Sequence, residues 1–179
     1  MKGKLIFSET QTFRYTWSWW LVLVITVGLG YVFGNGLYTQ LILGEQWGDK
    51  PMSDTGLIIM NVSMGSMMLV IFTLIHTMKL KIEIDAANIY YHYFPFVMRK
   101  QTISAQDVDK IYVRKYNPIW EYGGWGYRIR PGSGRALNVA GKWGLQLELK
   151  NGKKLLLGTQ MPQVMQDAIN QLKANWEKS

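Results

Sequence analysis

Two long stretches without a Lys, Arg, Asp or Glu dominate the first half of this 179-residue chain. The first, WSWWLVLVITVGLGYVF at 17–33, runs on through the glycine-rich GNGLYTQLILG. The second, GLIIMNVSMGSMMLVIFTLIHTM, occupies 56–78. At about 1.5 Å per helical residue, either crosses a hydrocarbon core of roughly 30 Å. The pair predicts a helical membrane hairpin over 17–78 with an external loop at about 36–55, preceded by an N-terminal segment at 1–16. A cleaved signal sequence fits poorly. Acidic Glu9 and the belt-forming Trp17, Trp19 and Trp20 interrupt the approach, no small-residue cleavage site follows, and a second span does.

Flanking charge sets the expected direction. Lys2, Lys4 and Arg14 precede the first span, and Lys79 and Lys81 follow the second. The loop carries Glu45, Asp49 and Asp54 against Lys50 alone. Positive-inside bias then places both termini in the cytoplasm and makes the chain a multi-pass protein of the cell (inner) membrane.

Within the spans, Gly30 and Gly34 lie four apart on one helix face, a spacing that allows close backbone approach in lipid. Asn61, Gly65, Phe72 and His76 share a narrow sector of the second span. These faces are expected to pack within the hairpin, with contact to a second copy as the alternative. Met60, Met64, Met67 and Met68 read as adaptable packing rather than a soft-metal site. The chain has no cysteine, which removes disulfides, thiolate ligands and a Cys nucleophile.

From residue 79 the pattern changes. The segment 79–179 holds 16 of the 20 Lys and Arg and 8 of the 12 Asp and Glu. Short runs of strand character follow one another: LKIEID, IYYHYF, KIYVRKY, WGYRIRP, ALNVAG, GLQLELK and KLLLGT. Asn151-Gly152 predicts a hairpin pairing 144–150 with 153–158. In MPQVMQDAINQLKANW, the apolar residues Val164, Met165, Ala168, Ile169, Leu172 and Trp176 have helical spacing, with Pro162 near the start. About seven strands and one amphipathic helix are therefore expected.

Strand after strand, then GWGYR at 124–128, then GLQLELKNGKKLLLGTQMP running into a helix, resembles the bacterial pleckstrin-homology-like membrane proteins. The resemblance covers about residues 80–176, and the two spans fit members that set such a domain behind a hairpin. It implies an α+β membrane protein whose cytoplasmic domain at 79–179 is a partly open seven-stranded barrel capped by the C-terminal helix. It implies no enzymatic activity, and the fold serves lipid, peptide and self-association surfaces alike.

The glycine–arginine stretch WEYGGWGYRIRPGSGR invites chemical readings. It has no Gly-Lys-Ser/Thr, and a strand follows where a phosphate loop would open a helix. Nucleic acid is not an expected partner of a tethered domain whose aromatics serve packing. His92 has no carboxylate at useful spacing, Asp107 and Asp109 read as turn features, and no hydrolase or metalloenzyme motif occurs. No enzyme, cofactor or metal is expected. The remaining candidate is an anion or lipid site at Arg128, Arg130, Arg135 and Lys142, near the inner leaflet.

Three functions remain from the sequence. The first is an interaction module that binds a protein partner or itself through a sheet edge or the groove beside the terminal helix. The second is recognition of anionic membrane lipid by the basic face. The third is an accessory subunit of a membrane enzyme or transporter.

Overall fold

The computed structural model describes residues 5–177. Lys2 and Lys4, which entered the charge argument, lie outside the described residues. The chain divides into a helical unit, 14–76, and a β unit built from the residues on either side of it.

In the helical unit, α1 (Trp17–Leu37) continues as a π-helical turn, Tyr38–Ile42, and α2 spans Asp54–Thr77. Both helices are long and apolar enough to cross a membrane. Most of their apolar side chains, Val24, Val27, Ile59 and Leu69 among them, are uncovered, an arrangement water disfavours. The helices meet through aromatic rings. The Trp19 indole N–H donates to His76 Nδ1 at 3.3 Å, and the Trp19 ring lies 5.5 Å from that of Phe72. At the far end, the Gln40 amide donates to the Asp54 carboxylate at 2.7 Å.

The glycines singled out by spacing do not make these contacts. Apart from the helix's own nearby backbone and the chain neighbours, no described atom lies within 4 Å of where a Cβ would stand on Gly30, Gly34 or Gly65. The Asn61 amide turns back to Leu57 O at 3.0 Å within its own helix. The glycine in use is Gly36, whose added Cβ would stand 2.7 Å from the Trp47 ring.

Among the described residues the β unit has nine strands in two sheets. One sheet has the order β1-β2-β3-β4, from Phe7–Thr12, Lys79–Ile84, Asn88–Phe94 and Val97–Ser104. The other has the order β5-β8-β9-β7-β6, from Val108–Lys115, Trp143–Leu149, Lys154–Thr159, Gly134–Asn138 and Gly126–Arg130. The short helix α3 is Pro118–Tyr122 and the terminal helix α4 is Pro162–Trp176. The sheets do not close, which corrects the expected seven-stranded barrel. The strand at Phe7–Thr12 forms from the segment ahead of the first span.

Alternation explains most of the strands. In β2, Leu80, Ile82 and Ile84 are buried while Lys79, Lys81 and Glu83 point outward. Leu137, Leu145, Leu147 and Leu157 face them from the second sheet. As expected from its spacing, α4 buries Met165, Ala168, Ile169 and Leu172, though Val164 is exposed. The Asn151-Gly152 hairpin also forms as expected, pairing Leu147 with Leu155 and Leu145 with Leu157.

The sheets are held by a helix on one side and by polar ties within. Helix α4 packs on β1 and β5, an edge strand of each sheet, and on β8 beside β5. Glu9 accepts from the Thr159 hydroxyl at 2.6 Å and the Gln160 amide at 2.8 Å. The Gln11 amide donates to Gly158 O at 2.6 Å. Asn138, fully buried, accepts from the Gly126 amide at 2.7 Å, donates to the Tyr116 hydroxyl at 2.8 Å, and receives the Tyr93 hydroxyl on its carbonyl. Buried polar groups cost least when each is paired, and here one asparagine links both sheets.

Candidate ligand-binding cleft

An opening lies between β3 of one sheet and β6, β7 and the β8–β9 hairpin of the other. At one end of this opening the Phe96 and Tyr127 rings stack, with centroids 5.4 Å apart. At the other end lies a cleft of about 500 Å³. Tyr91, Ile129, Leu149 and Leu155 supply its apolar lining, and Arg130, Arg135, Lys153 and Lys154 supply four cations. No Asp or Glu is among its lining residues.

Backbone geometry shapes this cleft. Gly134 has φ +84°, and a Cβ there would stand 2.3 Å from Lys154 O, so only glycine lets β7 approach β9 so closely. The parallel pairing of Arg135–Leu137 with Leu155–Leu157 follows from that approach. Arg135 is cross-strand from Ile129, on the face carrying Leu155. Its guanidinium lies 5.6 Å from the centre of the Tyr127 ring and forms no ion pair among the described residues. Burial pushes the Tyr91 phenol up from its ordinary pKa, opposed by the Arg135 charge nearby. Tyr91 therefore stays a neutral hydroxyl beside a cation.

The four cations proposed from the sequence do not form one patch. Arg128 and Arg130 do share a face, being cross-strand from Ala136 and Gly134. Arg135 lies on the opposite face of the same sheet. Arg128 donates to Trp125 O at 3.0 Å, at the start of β6. Arg130, at the strand's other end, donates to Trp120 O on α3 and so stands on the rim of the cleft. Lys142 is exposed in the β7–β8 loop, beyond the strand end that holds Asn138. Lys153 and Lys154 were visible only as the flank of a hairpin turn. Their part in the cleft depends on the parallel β7–β9 pairing, which no local signal announces.

The groove beside α4 is roomier, about 620 Å³, but Asp109 and Glu177 balance Lys110 and Lys173 along it. It has no charge preference to offer a ligand. Among the described residues no group of three or more His, Cys, Asp or Glu side chains is placed to hold a metal. No protein-family model, curated protein or solved structure matches this chain. Two helices long and apolar enough to cross a membrane, joined to a two-sheet domain, fit a membrane-anchored α+β protein.

Proposed function

We propose that the chain is a non-enzymatic, membrane-anchored interaction module that holds an acidic, partly apolar segment of a protein partner in the cleft lined by β3, β6, β7 and the β8–β9 hairpin. Arg135 carries this reading: a guanidinium with no carboxylate partner among the described residues, on an apolar lining, with Lys153, Lys154 and Arg130 around it. A carboxylate entering there forms charge-assisted hydrogen bonds while its neighbours cover Ile129 and Leu155. Exposed Trp120 and Ile129 and the free edge of β6 extend the same surface. The four- and five-stranded sheets with a terminal helix support a pleckstrin-homology-like ancestry with added strands.

Strand register supports the hairpin topology. Thr12 is paired with Lys79, and the Phe13 amide reaches Met78 O at 3.3 Å. The chain leaves for α1 and returns from α2 at adjacent points, so an even number of crossings is required. With Arg14 and Lys79 on that side, the β unit and both termini belong in the cytoplasm.

The test uses the full chain in zwitterionic nanodiscs with a fluorescent peptide of alternating Glu and Leu. Binding should fall with ionic strength, and Arg135→Glu with Lys153→Glu should weaken it by about tenfold or more. Equal binding by the reversed chain, or none by the native chain at low salt, overturns the reading.

A second reading, recognition of anionic lipid, is favoured by Arg128 and Lys142, which lie at the strand ends nearest the helix connections. Native chain reconstituted with anionic lipid should then slow that lipid's exchange at its surface, and Lys142→Glu should abolish the effect.

A further inference from the structure

The β unit has two distinguishable ends. Thr12, Lys79 and Phe94 are aligned across β1, β2 and β3, so the turn after β3 lies at the sheet end from which the chain enters α1 and returns from α2. The second sheet has its Gly126, Asn138 and Trp143 end here too. The Tyr93 hydroxyl reaches Asn138 O at 3.2 Å, and a Cβ on Gly126 would stand 3.8 Å from Met78 Cε. At this end Phe94 is 42% exposed, Phe96 53% and Met98 71%. Trp143 and Lys142, at the same end of the second sheet, are also exposed. The cleft, by contrast, is lined from the Arg130 and Lys153 ends of the strands, five to seven residues away, or about 15–20 Å.

There is little slack in the connection. Helix α2 ends at Thr77 and β2 begins at Lys79, so the sheet end lies within about 8 Å of the helix terminus along the chain. A span that reaches the bilayer surface at Thr77 therefore brings this end of the sheet to the headgroups.

We propose that this end of the β unit is a bilayer-seating surface: Phe94, Phe96 and Met98 enter the interfacial region, with Trp143 and Lys142 at headgroup level. The proposal rests on the reading that α1 and α2 cross the membrane. Its chemistry is that of interfacial anchoring, in which aromatic and flexible apolar side chains leave water and a cation meets phosphate. The consequence is an orientation. Seating this end turns the cleft away from the bilayer, toward a partner in the cytoplasm.

Because the native chain has no cysteine, single nitroxide labels report single positions. Full-length Met98→Cys, Phe96→Cys, Asn151→Cys and Val24→Cys chains are labelled in nanodiscs, and relaxation by oxygen is compared with relaxation by an aqueous nickel chelate. Labels at 96 and 98 should favour oxygen, the label at 151 should favour nickel, and the label at 24 should favour oxygen most. If 24 favours oxygen while both 96 and 98 behave like 151, the seating surface is wrong and the membrane anchor stands. If 24 favours nickel, the anchor fails and the proposal with it. Met98 is so exposed that its replacement leaves the fold intact, which keeps that measurement readable if Phe96→Cys disturbs the Tyr127 stack.

Discussion

Glu9 accepts a hydrogen bond of 2.6 Å from the Thr159 hydroxyl, joining residues 150 positions apart on either side of the helical unit. The second carboxylate oxygen takes the Gln160 amide, just ahead of α4, where the helix presents its positive end. The N-terminal strand thus buries one face in the β unit, and 77–179 alone lacks one sheet edge. Glu9→Ala takes the acceptor from the buried Thr159 hydroxyl and the partner from the part-buried Gln160 amide. It should cost about 1–3 kcal/mol in the thermal unfolding of the full chain in detergent. The fragment 77–179 should show no cooperative transition, and a sharp melt at the native temperature would refute the role given to β1.

Asn138 is one of the ties within the β unit. Its side chain satisfies the Gly126 amide and the Tyr116 hydroxyl, and both bonds are buried. Tyr116 itself is pushed up to about 12 by burial, so it remains a hydrogen-bonding phenol at any physiological pH. Asn138→Ala removes both partnerships and should destabilise the full chain by about 2–4 kcal/mol, measured by chemical denaturation followed through tyrosine absorbance. A change below measurement error would mean that water replaces the side chain.

Gly132 and Gly134 separate two causes of glycine dependence. Both have positive φ, +80° and +84°. A Cβ on Gly132 meets open space, whereas one on Gly134 collides with the Lys154 backbone. Gly132→Ala should therefore cost only the conformational strain, about 1 kcal/mol. Gly134→Ala should also pry β7 from β9, and with it lower peptide affinity at the cleft. Equal melting temperatures for the two variants would contradict the close approach.

Legibility in the sequence followed local pattern. The Asn151-Gly152 hairpin and α4 were readable because turn chemistry and apolar spacing are written within a dozen residues. Strand β1 was not, because FSETQT places Phe7, Glu9 and Gln11 on its inner face. Two of the three inward positions are polar, and their partners lie at 158–160. Arg130 and Arg135 were found by charge, but Lys153 and Lys154 join them only through a parallel pairing made at long range. Open sheets in place of a barrel follow from the same non-local pairings. In the helices, spacing pointed to Gly30 and Gly34, while the ring that needs a glycine, Trp47, lies in the loop against Gly36.

Glu83 gives a prediction with a sign. Its carboxylate contacts Lys100 at 2.7 Å and Lys81 at 2.6 Å, on the outward face of β2. Hydrogen bonds from Lys100 first and Lys81 next hold its pKa at about 2, below the 4.5 of a free glutamate. A carboxylate depressed in the folded state stabilises the fold fully above its unfolded pKa, and that contribution disappears as pH falls through its folded pKa. Both lysines are well exposed, so solvent screening limits the contribution to about 1 kcal/mol at neutral pH. Glu83→Gln should therefore melt below the native chain at pH 7. The gap should begin to close below pH 4.5 and vanish near pH 2. In 1 M salt it should narrow only in part, because both contacts lie within the screening length of about 3 Å. A gap that is constant from pH 7 to pH 2 would assign the loss to packing of the side chain rather than to its charge.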